Sequence, residues 1–134
     1  FKEQYYTSSK KNVIRGIHFQ IPPHDHDKLI TCISGKIIDL VIDLRSNSKN
    51  FGKIFTKTLN EKSFESIFIP SGFGHGFLSL TNSIVLYNTT TVYSPKHDKG
   101  VLWSSVNYDW KVKSPILSKR DKKFPVIDNI KNYF

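Results

Sequence analysis

Three histidines, His18, His24 and His26, fall within nine residues of "RGIHFQIPPHDHDK", and a fourth, His75, sits in "IPSGFGHGF". Imidazole does two kinds of chemistry near neutral pH, proton transfer and metal ligation. His24-x-His26 together with His75 would supply three ring nitrogens, a set that suits zinc or iron. No glutamate follows His26 within the next few residues to complete such a site, and Lys28 would set a cation beside the ion. Other residues point to a polar cavity. Asp39 lies in the apolar run "GKIIDLVID", where a buried carboxylate needs a partner. Lys28, across the turn at 34–35, is the expected one. Tyr87, Thr89, Thr91 and Tyr93 alternate onto one face of "LYNTTTVY". That face is polar, which suits a ligand cavity better than a packed core.

Short β-branched and aromatic runs bounded by turn residues must position these groups. They predict strands near 13–20, 27–34, 36–45, 53–59, 64–69, 74–80, 83–93 and 100–103. "SG" at 34–35 reads as a tight turn, and "IPPHDHD" as a loop, because neither proline can donate to a ladder. Ser118 reads as the N-cap of a short helical turn. Seven or eight short strands and no long amphipathic helix define an all-β sandwich or barrel.

The 134 residues are read as one domain, and 38% hydrophobic content is enough for a core. A net charge of +9 suggests an anionic partner, either nucleic acid or a phosphorylated small molecule. The aromatics sit in strand patterns rather than along a basic stripe, which argues against nucleic acid. No apolar run reaches the ~18 residues of a membrane span. The one cysteine, Cys32, allows no internal disulfide and fits a reducing, cytoplasmic setting.

"PSGFGHGF" has the form P-x-G-x-x-H and resembles the second cupin motif, whose histidine points into a small barrel. A wider match runs from residue 12 to 125. It joins "NVIRGIHFQIPP", "KLITCISGKIIDLVIDLR", "FGK", "IFIPSGFGHGFLSL", "LYNTTTVYSP", "GVLWS" and "PILSKRD". In that order and at those distances they resemble the dTDP-4-dehydrorhamnose 3,5-epimerase family. The resemblance implies a cupin-type jelly roll, a homodimer, no metal or other cofactor, and a place in dTDP-rhamnose and polysaccharide biosynthesis. The implied substrate is a nucleotide-linked 4-keto-6-deoxy sugar, dTDP-linked in the family. C3, C5 or both would be inverted through an enolate.

The same resemblance implies roles. His18 matches the base, Asp121 the carboxylate that pairs with it, Tyr87 the general acid and Lys28 the cation at the enolate oxygen. Arg15 matches a phosphate ligand, and Tyr93 the ring that stacks on thymine. His75, Gln20 and Asp39 would border the sugar. Asp98 and Arg120 fall where the family has an acid and a lysine that touch the nucleotide. Arg15 and His18 have opposite parity in a flat strand, so a bulge at Gly16 is predicted to turn both inward.

Three departures stand out. "EQY" (Glu3, Gln4, Tyr5) replaces a Gln-x-Asn ligand pair, and "PPHDHDK" replaces largely uncharged residues before the lysine. The family's N-terminal segment is expected to be missing. Two alternatives remain beside the epimerase: a metal-dependent cupin enzyme using His24, His26 and His75, and a non-catalytic nucleotide-sugar-binding cupin. The latter would keep Tyr93 and Arg15 without needing His18, Tyr87 and Asp121.

Overall fold

The computed structural model describes residues 1–130 and 132–134. Among these residues, nine strands form two antiparallel sheets. β1 (Glu3–Ser9), β8 (Ser83–Thr89), β3 (Lys28–Ser34) and β6 (Ser66–Ile69) lie in that order in a four-stranded sheet. β5 (Ile54–Asn60), β4 (Lys36–Asp43), β7 (Phe73–Ser79), β2 (Ile14–Gln20) and β9 (Asp98–Gly100) form the five-stranded one. Short 3-10 turns occupy Trp103–Ser105, Asp121–Lys123 and Ile127–Ile130. Among the described residues no helix is long and apolar enough to cross a membrane. The architecture is a cupin-type jelly roll.

Alternation explains the layering. In β4, Ile37, Asp39 and Val41 face the other sheet, while Leu40 and Ile42 face outward, yet all five are little exposed. The inward set joins Ile30, Leu59, Ile69, Phe77 and Val85 between the sheets. The outward set is covered by the C-terminal segment, through Val106, Trp110 and Ile130. Each large apolar side chain so buried contributes about 1.5–3 kcal/mol.

The SG turn links β3 to β4 as expected. It does not close a hairpin, because β3 and β4 belong to different sheets. β8 stops at Thr89 rather than 93, and the last paired strand is Asp98–Gly100 rather than 100–103. β1 was absent from the sequence reading. Its inward residues Glu3, Tyr5, Thr7 and Ser9 are mostly polar and carry no apolar period.

The expected bulge is present. Arg15 pairs with Phe77 and His18 with His75, with a register shift between them. Ile14, Ile17 and Phe19 then all join the outer cluster, and Arg15 and His18 both turn inward. Gly16 permits this. Its φ is +117°, and a Cβ there would meet Gly76 Cα and His75 O at 2.7 Å.

Candidate active site

One end of the space between the sheets opens into a cavity of about 310 Å³. His18, Gln20 and Asp98 line it from the five-stranded sheet, and Glu3, Tyr5 and Lys28 from the four-stranded one. Tyr93 and Arg120 stand at its mouth, and His26 joins from the Pro-marked loop.

His18 is held from behind by the C-terminal segment. Its Nε2 lies 2.8 Å from Asp121 Oδ1, across 103 residues of sequence. Asp121 Oδ2 accepts the Gly16 N–H at 2.9 Å, and the Asp121 N–H donates to Ser118 Oγ at 3.0 Å. Ser118 thus caps the expected turn. Burial pushes the Asp121 carboxyl up, but the hydrogen bond and charge of His18, with the Gly16 N–H, outweigh it and hold the group below the usual range. The proton between them therefore sits on His18 Nε2, which leaves Nδ1 as the basic nitrogen of a ring that borders the cavity. Phe124 packs edge-on against the imidazole, 5.6 Å between centroids. It fits because position 100 is glycine, where a Cβ would come within 2.3 Å of its ring.

Lys28 heads β3 with its side chain buried, and its Nζ donates to the His18 carbonyl at 3.1 Å. Burial pulls its pKa down to about 8, against the attraction of Asp98 and Asp39. The expected ion pair of Lys28 with Asp39 is not the one formed. Asp39 instead meets His75, Oδ2 to Nε2 at 2.7 Å, and both are almost fully buried. His75 packs its ring edge against Tyr87 at 5.8 Å. Asp39, His75 and Tyr87 thus form a layer beneath the cavity and are not among the residues that line it. Arg15 turns inward but donates to Ser9 Oγ at 2.8 Å and to the Ser8 carbonyl at 3.0 Å. It ties β2 to β1 and also stands outside the cavity lining.

At the mouth, Gln20 fastens two loops. Its Nε2 donates to the His24 carbonyl at 2.7 Å, and its Oε1 accepts the Ser94 N–H at 2.7 Å. The Tyr93 N–H donates to Glu3 Oε2 at 3.0 Å, and the Tyr93 ring is half exposed beside the cavity. Asp98 pairs with Arg120, whose guanidinium lies 5.2 Å over the Phe124 ring.

The three imidazoles of the metal reading do not converge. His75 is bound to Asp39 between the sheets, and His24 stacks on His97 with centroids 4.4 Å apart. His26 lines the cavity beside Lys28, and burial and that charge pull its pKa down to about 3. Among the described residues no group of three His, Cys, Asp or Glu side chains could hold a metal ion.

The sequence reading sets His26 in a loop at the mouth of the pocket and names Glu3 and Tyr5 only as a departure from the family's ligand pair; the structure brings all three to the cavity lining. Glu3 and Tyr5 share the inward parity of β1 and stand where the family pair was replaced. His26 has the parity of Lys28, two residues before an inward strand position.

A jelly roll that sets a histidine–carboxylate pair from one sheet against a buried lysine from the other belongs to the carbohydrate-epimerase class of cupin folds. The sequence model of the dTDP-4-dehydrorhamnose 3,5-epimerase family matches residues 1–129, and this chain belongs to that family. It is 37% identical over 134 residues to the Escherichia coli enzyme of that name, covering 97% of this chain and 72% of the relative. The solved dTDP-4-dehydrorhamnose 3,5-epimerase of Sulfolobus tokodaii superposes with a TM-score of 0.90 at 37% identity, over 94% of this chain and 71% of that one. The dTDP-6-deoxy-D-glucose-3,5-epimerase of Legionella pneumophila, solved with dTDP-4-keto-L-rhamnose bound, gives 0.92 at 27% identity, over 97% and 71%. The chain is an isomerase of the nucleotide-sugar epimerase type.

Proposed function

We propose that the protein inverts carbon centres beside the C4 ketone of a dTDP-linked 4-keto-6-deoxy sugar, with no metal or organic cofactor. The single observation that carries this reading is the His18–Asp121 pair facing the buried ammonium of Lys28 across one cavity. His18 Nδ1 takes the proton from the carbon next to the ketone. Negative charge then moves to the ketone oxygen, where Lys28 stabilises it; one such donor contributes about 2.7–4 kcal/mol. Asp121 supports the imidazolium that forms. A proton returned from the opposite sheet, where the phenols of Tyr5 and Tyr87 lie, completes inversion. Tyr93 at the mouth offers a face for the nucleobase, and Arg120 a cation for the diphosphate.

We further infer a homodimer and a cytoplasmic setting. The first is supported by the apolar outer face of the four-stranded sheet, the second by the single buried thiol of Cys32.

The test is incubation with dTDP-4-keto-6-deoxyglucose in heavy water, following deuterium at C3 and C5 by NMR. Deuterium should enter at one or both carbons with inversion, and His18→Ala should exchange none. Exchange that survives loss of His18 would remove the assigned base and with it this mechanism.

A further inference from the structure

We propose that His26 is a second electrophile for the ketone oxygen: its Nε2–H, beside the Lys28 ammonium, donates a hydrogen bond to that oxygen as the enolate forms. The assignment rests on the epimerase reading above and adds a catalytic residue to the first half of its reaction.

The ring comes from "PPHDHDK", the stretch in which this chain departs from the family pattern. It lines the cavity, as Lys28 does two residues further on. The neighbours of the ring fix its proton. Gln20 Oε1 accepts the Ser94 N–H at 2.7 Å, so the other arm of that amide, Nε2, is an amino group that can only donate. It lies 3.3 Å from His26 Nδ1. Nδ1 is therefore the acceptor, and the ring proton sits on Nε2. Burial, then the charge of Lys28, pull the His26 pKa down to about 3, against the attraction of Asp25. The ring is neutral near pH 7, a donor at Nε2 and an acceptor at Nδ1.

Nε2 is buried, yet it has no hydrogen-bond partner among the described residues. Leaving such a donor unpaired costs about 1–3 kcal/mol. Thr7 Oγ1 and Asp39 Oδ1 share that state, but neither residue lines the cavity. A substrate oxygen held at Lys28 supplies the acceptor that His26 lacks.

A neutral N–H binds a ketone oxygen weakly and an enolate oxygen strongly, because charge on the oxygen grows as the carbon loses its proton. A second cation in that place would be repelled by Lys28, whereas a neutral ring adds a donor without adding charge. The electrons balance. His18 Nδ1 takes the proton of the carbon beside the ketone, the C–H pair becomes the enolate, and Lys28 Nζ and His26 Nε2 share its oxygen. Both keep their protons. When the carbon is reprotonated the pair returns to it and the ketone re-forms, so nothing is oxidised or reduced.

Three variants separate this role from a structural one, since His26 also receives Gln20. His26→Phe removes both nitrogens. His26→Gln keeps an N–H at the ε position, and His26→Asn sets its amide at the δ position, where the oxygen can still receive Gln20. With dTDP-4-keto-6-deoxyglucose in heavy water, kcat for deuterium exchange should fall about 100-fold in His26→Phe and His26→Asn, with KM within a few-fold of the parent. His26→Gln should recover about tenfold or more of that loss. Equal loss in all three, recovery by Asn rather than Gln, or a change carried by KM alone overturns the assignment. So does a His26→Phe protein that exchanges at the parent rate, and each of these leaves the epimerase reading intact. A parent that exchanges no deuterium overturns both. The parent also gives a readout that does not depend on the variants folding. In protein labelled with a heavy nitrogen isotope in its histidines, the His26 Nε2–H resonance should move downfield when dTDP-4-keto-6-deoxyglucose is added and stay in place with dTDP, which carries no ketone. An Nε2–H that responds equally to the two ligands overturns the assignment.

Discussion

At the scale of the residue, the most consequential group is Lys28, because it is buried and charged at once. The folded protein pulls its pKa from 10.5 to about 8, chiefly by burial. In the proposed mechanism the enolate needs the ammonium, so the rate of deuterium exchange should fall as pH rises through about 8. Stability moves the other way. Between about 8 and 10.5 the unfolded chain keeps the lysine proton that the folded one gives up, so folding becomes more favourable with rising pH across that window. Lys28→Met should therefore unfold at a higher temperature at neutral pH, since it removes a buried charge of the parent. It should also lose roughly 100- to 1000-fold in kcat, the loss of one electrostatic donor. A pH–rate profile and a thermal melt on the same preparation check both directions. A variant that loses stability as well as rate would mean that the ammonium is fully compensated by its neighbours.

At the scale of the element, β2 is the strand on which the site depends, and its bulge is the sharpest case of sequence foreseeing structure. The opposite parity of Arg15 and His18 with a glycine between them required a kink if both were to face inward, and the register shift supplies it. Gly16→Ala would put a Cβ 2.7 Å from two backbone atoms at a φ of +117°. It should cost about 1–3 kcal/mol in strain alone, read by denaturant unfolding, and lower kcat by displacing His18. Other elements were hidden for physical reasons. β1 carries polar residues inward because they border a cavity, so hydrophobic periodicity passes over it. The Asp39–His75 pair was missed because the two lie on neighbouring strands β4 and β7, 36 residues apart, and local spacing pointed to Lys28 instead. Asp121 illustrates the same limit. Its 103-residue distance from His18 is closed only by tertiary structure, so the family pattern and not the local sequence pointed to it.

At the scale of the whole molecule, the two sheets are treated unequally. The outer face of the five-stranded sheet is covered by the chain's own C-terminal segment. Among the described residues the outer face of the four-stranded sheet has no such cover. Tyr6 and Phe68 are 69% and 56% exposed there, in register with Leu86 and Leu29, and Ile33 is 49% exposed on the same strand as Leu29. Apolar side chains spread across four hydrogen-bonded strands are a flat patch of the kind that pairs with its own copy about a two-fold axis. The proposed dimer therefore forms through this face, with the cavity on the inner side of the same sheet. Phe68→Glu would place a charge within each apolar layer, on the edge strand β6, twice per dimer because of the symmetry. Light scattering coupled to size exclusion should report a particle near twice the 15.5 kDa chain mass for the parent and near that mass for the variant. The inner face is untouched by the substitution, so the monomer should keep its fold by circular dichroism. A Phe68→Glu protein that stays dimeric would locate the contact elsewhere and leave this face to a different partner.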